Sequence, residues 1–182
     1  MSTRYIAFLR AINVGGNTVK MDALRGLFEA LGFSSVETFI ASGNVIFETP
    51  EGDPRALEAR IAQHLRQTLG YEVVTFLRSS AELARIAAHE AFPPAEVALG
   101  GKVYVAFLPG PPPIERQQKL LDARTPTDDF HFHGAELYWL CRTGLSESVF
   151  SGPLLEKTLG LPVTVRNSTT VGKLAAKYAE SA

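Results

Sequence analysis

Apolar residues along this chain fall into short runs and helical stripes that follow one another in a fixed order, and the order occurs twice. Tyr5 to Leu9 is an unbroken apolar run of strand length, and Gly15-Gly16-Asn17 follows it with turn chemistry. Met21, Leu24, Leu27, Phe28 and Leu31 recur at helical spacing, with Gly32 where a C-terminal left-handed residue belongs. Val36 to Ile40 and Asn44 to Glu48 flank Ser42-Gly43 and predict a hairpin. Asp53-Pro54 supplies an N-cap and a first-turn proline for a helix carrying Leu57, Ile61, Leu65 and Leu69, which Gly70 ends. Glu72 to Leu77 predicts a closing strand.

Ser79 with Glu82 three residues on is a capping box that opens a helix running to about His89. Phe92-Pro93-Pro94 ends that helix, and the stretch to Gly101 reads as a linker. The cycle then returns. Val103 to Leu108 is a strand, Ile114 to Ala123 a helix, and Asp129 to His133 with Glu136 to Arg142 a hairpin around Gly134-Ala135. A helix runs from Pro153 to Gly160, Pro162 to Val165 is the last strand, and Val171, Leu174, Ala175 and Tyr178 mark a C-terminal amphipathic helix. The pattern predicts an α+β fold of two ferredoxin-like βαββαβ units in tandem, at 1–78 and 102–182. An extra helix and linker at 79–101 join them, and the C-terminal helix belongs to the second unit.

Composition narrows the class. With 182 residues, 46% hydrophobic and 20% charged, the chain has the make-up of an ordinary globular protein. A chain of this size buries roughly 70% of the surface its unfolded form exposes. The single cysteine, Cys141, excludes an internal disulfide and a structural cysteine-zinc site. No apolar run approaches the roughly 20 residues that span a bilayer. Only five apolar residues separate Arg4 from Arg10, too few for a signal-peptide core. These features predict a cytoplasmic location and no membrane partner. A formal charge of -1 argues against a broad nucleic-acid footprint, whereas a small anionic ligand needs only a local cluster.

Topology brings two polar connections together. In a βαββαβ unit the end of the first strand and the hairpin tip share one sheet edge, so Arg10, Asn13, Gly15, Gly16 and Lys20 should lie near Ser42, Gly43 and Asn44. The second unit offers Pro109 to Pro113 and Gly134-Ala135 at those places, without comparable donors, and reads as a scaffold. Helix starts add a second clue. Helix N-termini carry unsatisfied N–H groups and a partial positive charge, so cations there are unfavourable unless an anion accompanies them. Lys20 stands at one start. Arg166 precedes the C-terminal helix and Lys173 falls in its first turn, where Asn167, Ser168, Thr169 and Thr170 add donors.

Plainer readings compete with each element. Gly15-Gly16 lacks the spacing of a phosphate-loop fingerprint and suits an ordinary turn. Ser42-Gly43-Asn44 suits a hairpin, and Arg166 suits a carboxylate pair. His131 and His133 alternate on one strand face near Cys141, a weak metal pattern, so no metal and no cofactor is expected. His64 and His89 stand near no nucleophile at a telling spacing, so no triad is argued. The leading expectation is a protein that binds a phosphorylated small molecule or nucleotide. The alternatives are an enzyme acting on such a ligand and an RNA-binding or protein-interaction module. Against RNA, Asn44-Val45-Ile46-Phe47 lacks the basic-glycine-aromatic signature of base-stacking sheets.

The string Leu9-Arg10-Ala11-Ile12-Asn13-Val14-Gly15-Gly16, then Met21, Leu24, Gly32-Phe33, Ser42-Gly43-Asn44-Val45 and Arg166-Asn167-x-x-Thr170-Val171-x-Lys173-Leu174, resembles a bacterial family known as domain of unknown function 1697. The resemblance spans nearly the whole chain. It implies a two-lobed α+β fold and no established activity, substrate or catalytic residue. Two positions depart from the family pattern: Ala11 stands where glycine is common, and Ser168 where tryptophan is common.

Overall fold

In the computed structural model, which describes residues 1–13, 15–40 and 43–179, the two cycles form two four-stranded antiparallel sheets of identical topology. The first cycle runs β1 (Thr3–Leu9), α1 (Met21–Glu29), β2 (Ser34–Thr38), β3 (Asn44–Thr49), α2 (Pro54–Leu69) and β4 (Thr75–Ser79). Its strand order is β2-β3-β1-β4, the ferredoxin-like arrangement. After α3 (Ser80–Ala88) and the single turn α4 (Pro94–Val97), the second cycle repeats it with β5 (Lys102–Phe107), α5 (Ile114–Asp122), β6 (Asp128–His133), β7 (Glu136–Cys141), α6 (Gly152–Leu159) and β8 (Thr164–Asn167). The order there is β6-β7-β5-β8. α7 (Ser168–Tyr178) completes the described chain.

Two compact units result, one of Met1–Arg85 with the chain end from Leu174, the other of Ile86–Lys173. In the first unit Tyr5, Ala7 and Leu9 turn to one face of β1 and join Val45, Phe47 and Leu77 in a core closed by Leu24, Phe28, Leu57, Ile61 and Leu65 of the two helices. Phe33 stacks on Phe47 with ring centroids 4.3 Å apart. Ile6, Phe8, Ile46 and Phe76, on the opposite face, are buried as well. Burial of both faces explains why β1 reads as an unbroken apolar run rather than an alternating one. The end of α7 belongs to this unit: the Tyr178 hydroxyl donates to Glu37 at 2.6 Å, and Arg4 donates to the Tyr178 carbonyl at 3.3 Å. The second core gathers Tyr104, Leu137 and Trp139 against Leu120, Leu155 and Leu159.

Local signals act where the sequence puts them. Asp53 accepts from the Arg55 and Ala56 N–H groups at the start of α2. Ser79 and Glu82 exchange the reciprocal bonds of a capping box, 2.7 and 3.2 Å long. Boundaries shift at several places, and β2 runs Ser34–Thr38 rather than Val36 to Ile40. β4 begins at Thr75 rather than Glu72 because pairing starts where β1 ends, with Thr75 opposite Leu9. β8 is displaced in the same direction, with Asn167 opposite Tyr104. α7 starts at Ser168, directly after β8 and without an intervening loop. Among the described residues no helix is long and apolar enough to cross a membrane.

Candidate ligand-binding site

The loop after β1 lies against the hairpin tip, as the topology requires. The Leu9 N–H donates to the Gly43 carbonyl, the Arg10 N–H to Val74 and the Tyr71 hydroxyl to Ile12, each at 2.9 Å. Ile12 and Val19 are buried and anchor the loop at both ends. Asn13 braces it, its side-chain oxygen accepting from the Val19 N–H at 2.7 Å. Asn44 is fully buried and donates to the Phe39 carbonyl at 2.9 Å, tying the hairpin. Gly15 and Gly16 have φ of 68° and 84° and are exposed, as is Lys20, whose side chain makes no capping bond at the start of α1. Ser42 lies outside the described residues. The side chains of Asn13 and Asn44 therefore hold backbone in place.

Ala11, where the resemblance leads one to expect glycine, sits at φ 56°. A β-carbon in that region costs about 1–2 kcal/mol. Ala11→Gly should therefore stabilise the protein by up to about 1 kcal/mol, since glycine's greater unfolded-state freedom offsets part of the gain. A urea melt that shows no gain would remove strain from the account of this turn.

The Arg166 segment departs from expectation. Arg166 lies within β8, is buried, and donates to Thr164 Oγ1 at 2.7 Å and to the Val165 carbonyl at 3.0 Å. Burial lowers its pKa to about 10, so it stays charged at neutral pH. Because α7 begins at Ser168, Lys173 falls in the second turn, not the first, and is exposed. Asn167 caps the helix, accepting from the Thr169 N–H at 2.9 Å. The first unit carries the same device. Arg78 is buried opposite Ile6 as Arg166 is opposite Val105, and it donates to the preceding carbonyl, Leu77, at 2.8 Å. Leu77-Arg78-Ser79-Ser80 and Val165-Arg166-Asn167-Ser168 are duplicates at one constant offset, which continues through Leu83/Val171, Arg85/Lys173 and Ile86/Leu174. Arg166 is thus half of a repeated strand-to-helix junction.

Two cavities of the second unit lie at the start of α7. One cavity of about 440 Å³ is lined by Lys102, Asn167, Ser168, Thr169 and Thr170 with Gly101 and Val103. A second, of about 500 Å³, shares Val97, Val103 and Ser168 with it and extends over Val105, Val171, Tyr138, Phe92 and His89. Arg166 and Lys173 line neither. Lys102 is exposed and was not singled out in the sequence, because only the fold carries the first residue of β5 to the helix start.

The DUF1697 model, described as a protein of unknown function, matches residues 2–138. The chain belongs to this family. It is similar in fold to the conserved bacterial protein SP0830 from Streptococcus pneumoniae, at 21% identity and a TM-score of 0.74, over 99% of this chain and 100% of that one. No curated protein matches. Ser168, where the family resemblance leads one to expect tryptophan, borders both cavities of this DUF1697 chain.

A histidine cluster forms one side of the larger cavity. His89 Nε2 lies 3.1 Å from His131 Nε2, and its ring stacks on His133 with centroids 3.9 Å apart and 17° between planes. Burial, then the neighbouring imidazoles of His133 and His131, lower the His89 pKa, which keeps that ring neutral at pH 7. Cys141 is buried on the other face of the sheet, in the core with Trp139, so it does not join the histidines. Rings lying face to face do not converge on one point, and among the described residues no group of three or more His, Cys, Asp or Glu is arranged to hold a metal ion.

Proposed function

We propose that this chain binds a phosphorylated small molecule or nucleotide, with the phosphate in the cavity at the start of α7. The carrying observation is the wall of that cavity, which combines the cation of Lys102 with Asn167, Ser168, Thr169 and Thr170 at a helix N-terminus. A helix leaves its first N–H groups without intrahelical partners, and the macrodipole favours an anion there. Hydroxyls of Ser168, Thr169 and Thr170 add donors suited to phosphate oxygens. Stacking of RNA bases on the sheets is disfavoured, since Phe8 and Phe76 in one unit and Phe107 and Tyr138 in the other are buried.

The test is thermal unfolding at low salt against nucleotides and phosphorylated metabolites, with sulfate as a control for anion binding without specificity. A ligand at about one hundred times its Kd should add about 2.7 kcal/mol, a shift of roughly 5–10 °C for a chain of this size. Lys102→Glu should remove that shift while changing the ligand-free protein by less than about 0.5 kcal/mol, because the residue is exposed. If no phosphorylated compound protects, or protection survives Lys102→Glu, the reading fails.

A further inference from the structure

We infer that the ligand whose phosphate occupies the start of α7 carries a flat heteroaromatic body of nucleoside size, seated in the adjoining cavity. This rests on the phosphate reading and narrows it. At about 500 Å³ the adjoining cavity is in the range of small-molecule sites and exceeds what a phosphate needs. It adjoins the phosphate cavity, with Val97, Val103 and Ser168 lining both, which places the two within the span of one nucleotide-sized molecule.

The walls determine the kind of body. Val105 and Val171 give an aliphatic surface, and Phe92, Tyr138 and His89 give rings. The Tyr138 hydroxyl already donates to the Ile86 carbonyl at 2.9 Å, so this buried side chain brings no polar tip to the cavity and backs its wall without an open ring face for stacking. His89 is engaged through Nε2 by His131, which leaves Nδ1 as the nitrogen it can turn to a ligand. A polyhydroxylated body would bury hydroxyls against valines without partners, at a cost for each unmatched group. A heteroaromatic ring presents apolar faces to Val105, Val171 and Phe92 and has few edge atoms to satisfy, which one neutral imidazole can do.

Isothermal titration of the full chain separates the two claims, using inorganic phosphate, ribose 5-phosphate and the four common nucleoside monophosphates as probes. At least one nucleoside monophosphate should bind about tenfold or more tightly than ribose 5-phosphate, the range expected for one base seated against rings. Ala87→Trp, an exposed position on the wall of the larger cavity, should abolish that excess and leave ribose 5-phosphate binding unchanged. Ala98→Trp, exposed on the same cavity's α4 side, should do the same and guards against one variant misfolding. Lys102→Glu should weaken both ligand classes. Equal binding of nucleoside monophosphates and ribose 5-phosphate, or an excess that survives both tryptophans, overturns the aromatic body while leaving the phosphate site standing. Binding of neither class overturns both.

Discussion

Asp128→Ala is expected to destabilise the protein by about 3–5 kcal/mol, the cost of removing one partner from a buried polar network. The carboxylate is fully buried. Its Oδ1 accepts from Trp139 Nε1 at 2.9 Å and from Ser148 Oγ at 2.7 Å, and its Oδ2 from the hydroxyls of Thr127 at 2.9 Å and Thr125 at 3.1 Å. Alanine would leave the indole N–H without an acceptor inside the second core. It would also release Ser148, whose hydroxyl accepts from the Phe150 N–H at 3.0 Å and so positions a ring packed edge-on against Phe130. Trp139 is the chain's one tryptophan, so its fluorescence during a urea melt reports on this network directly. A loss below about 1 kcal/mol would mean that the donors find other partners.

Acid should expose the same group. Burial alone would raise the Asp128 pKa, but the hydrogen bonds from Ser148, Trp139, Thr127 and Thr125 together bring it below the ordinary aspartate value. A depressed folded pKa means that the contribution is complete above the unfolded value of about 3.9 and is lost as pH falls through the lower folded value. Asp128→Asn should therefore be less stable than the parent at pH 7 and show a flatter decline in stability below about pH 4.

Much of the fold is legible because its signals are local. Asp53, the Ser79–Glu82 box, Gly70 and Gly160 each fix a helix end through bonds within a few residues, and the apolar runs between them give the repeated element order. Adjacency of the β1 end and the hairpin tip also follows from topology, and the 2.9 Å bond from Leu9 to Gly43 realises it. The candidate site is less legible. Arg166 looks like a helix-start cation only if β8 ends before it, and the missing loop between β8 and α7 hides that boundary. The signal that corrects it is in the sequence as the ungapped match to Arg78, visible when the strand-to-helix junctions rather than the loops are compared. Lys102 and His89 carry no local signal: one depends on the position of β5 beside α7, the other on the return of the linker across β6.

Gly43→Ala is expected to cost about 3 kcal/mol, from two separable causes. The residue sits at φ 85°, where a β-carbon adds about 1–2 kcal/mol of strain. A β-carbon built there also lies 2.8 Å from Ile12 Cγ2, 3.2 Å from Leu9 Cβ and 3.3 Å from the Leu9 carbonyl oxygen. Ile12 is buried and held by the bond from Tyr71 to its carbonyl, so it yields only by moving the loop that runs on to Lys20. Overpacking of this kind costs typically about 1–3 kcal/mol. A double-mutant cycle with Ile12→Ala separates the two parts. With the isoleucine methyl gone, Gly43→Ala should retain the backbone strain and lose most of the steric share, giving a coupling of about 1 kcal/mol or more. Strict additivity would assign the cost to φ and to the Leu9 contacts, and would mean that Ile12 yields freely to the added β-carbon.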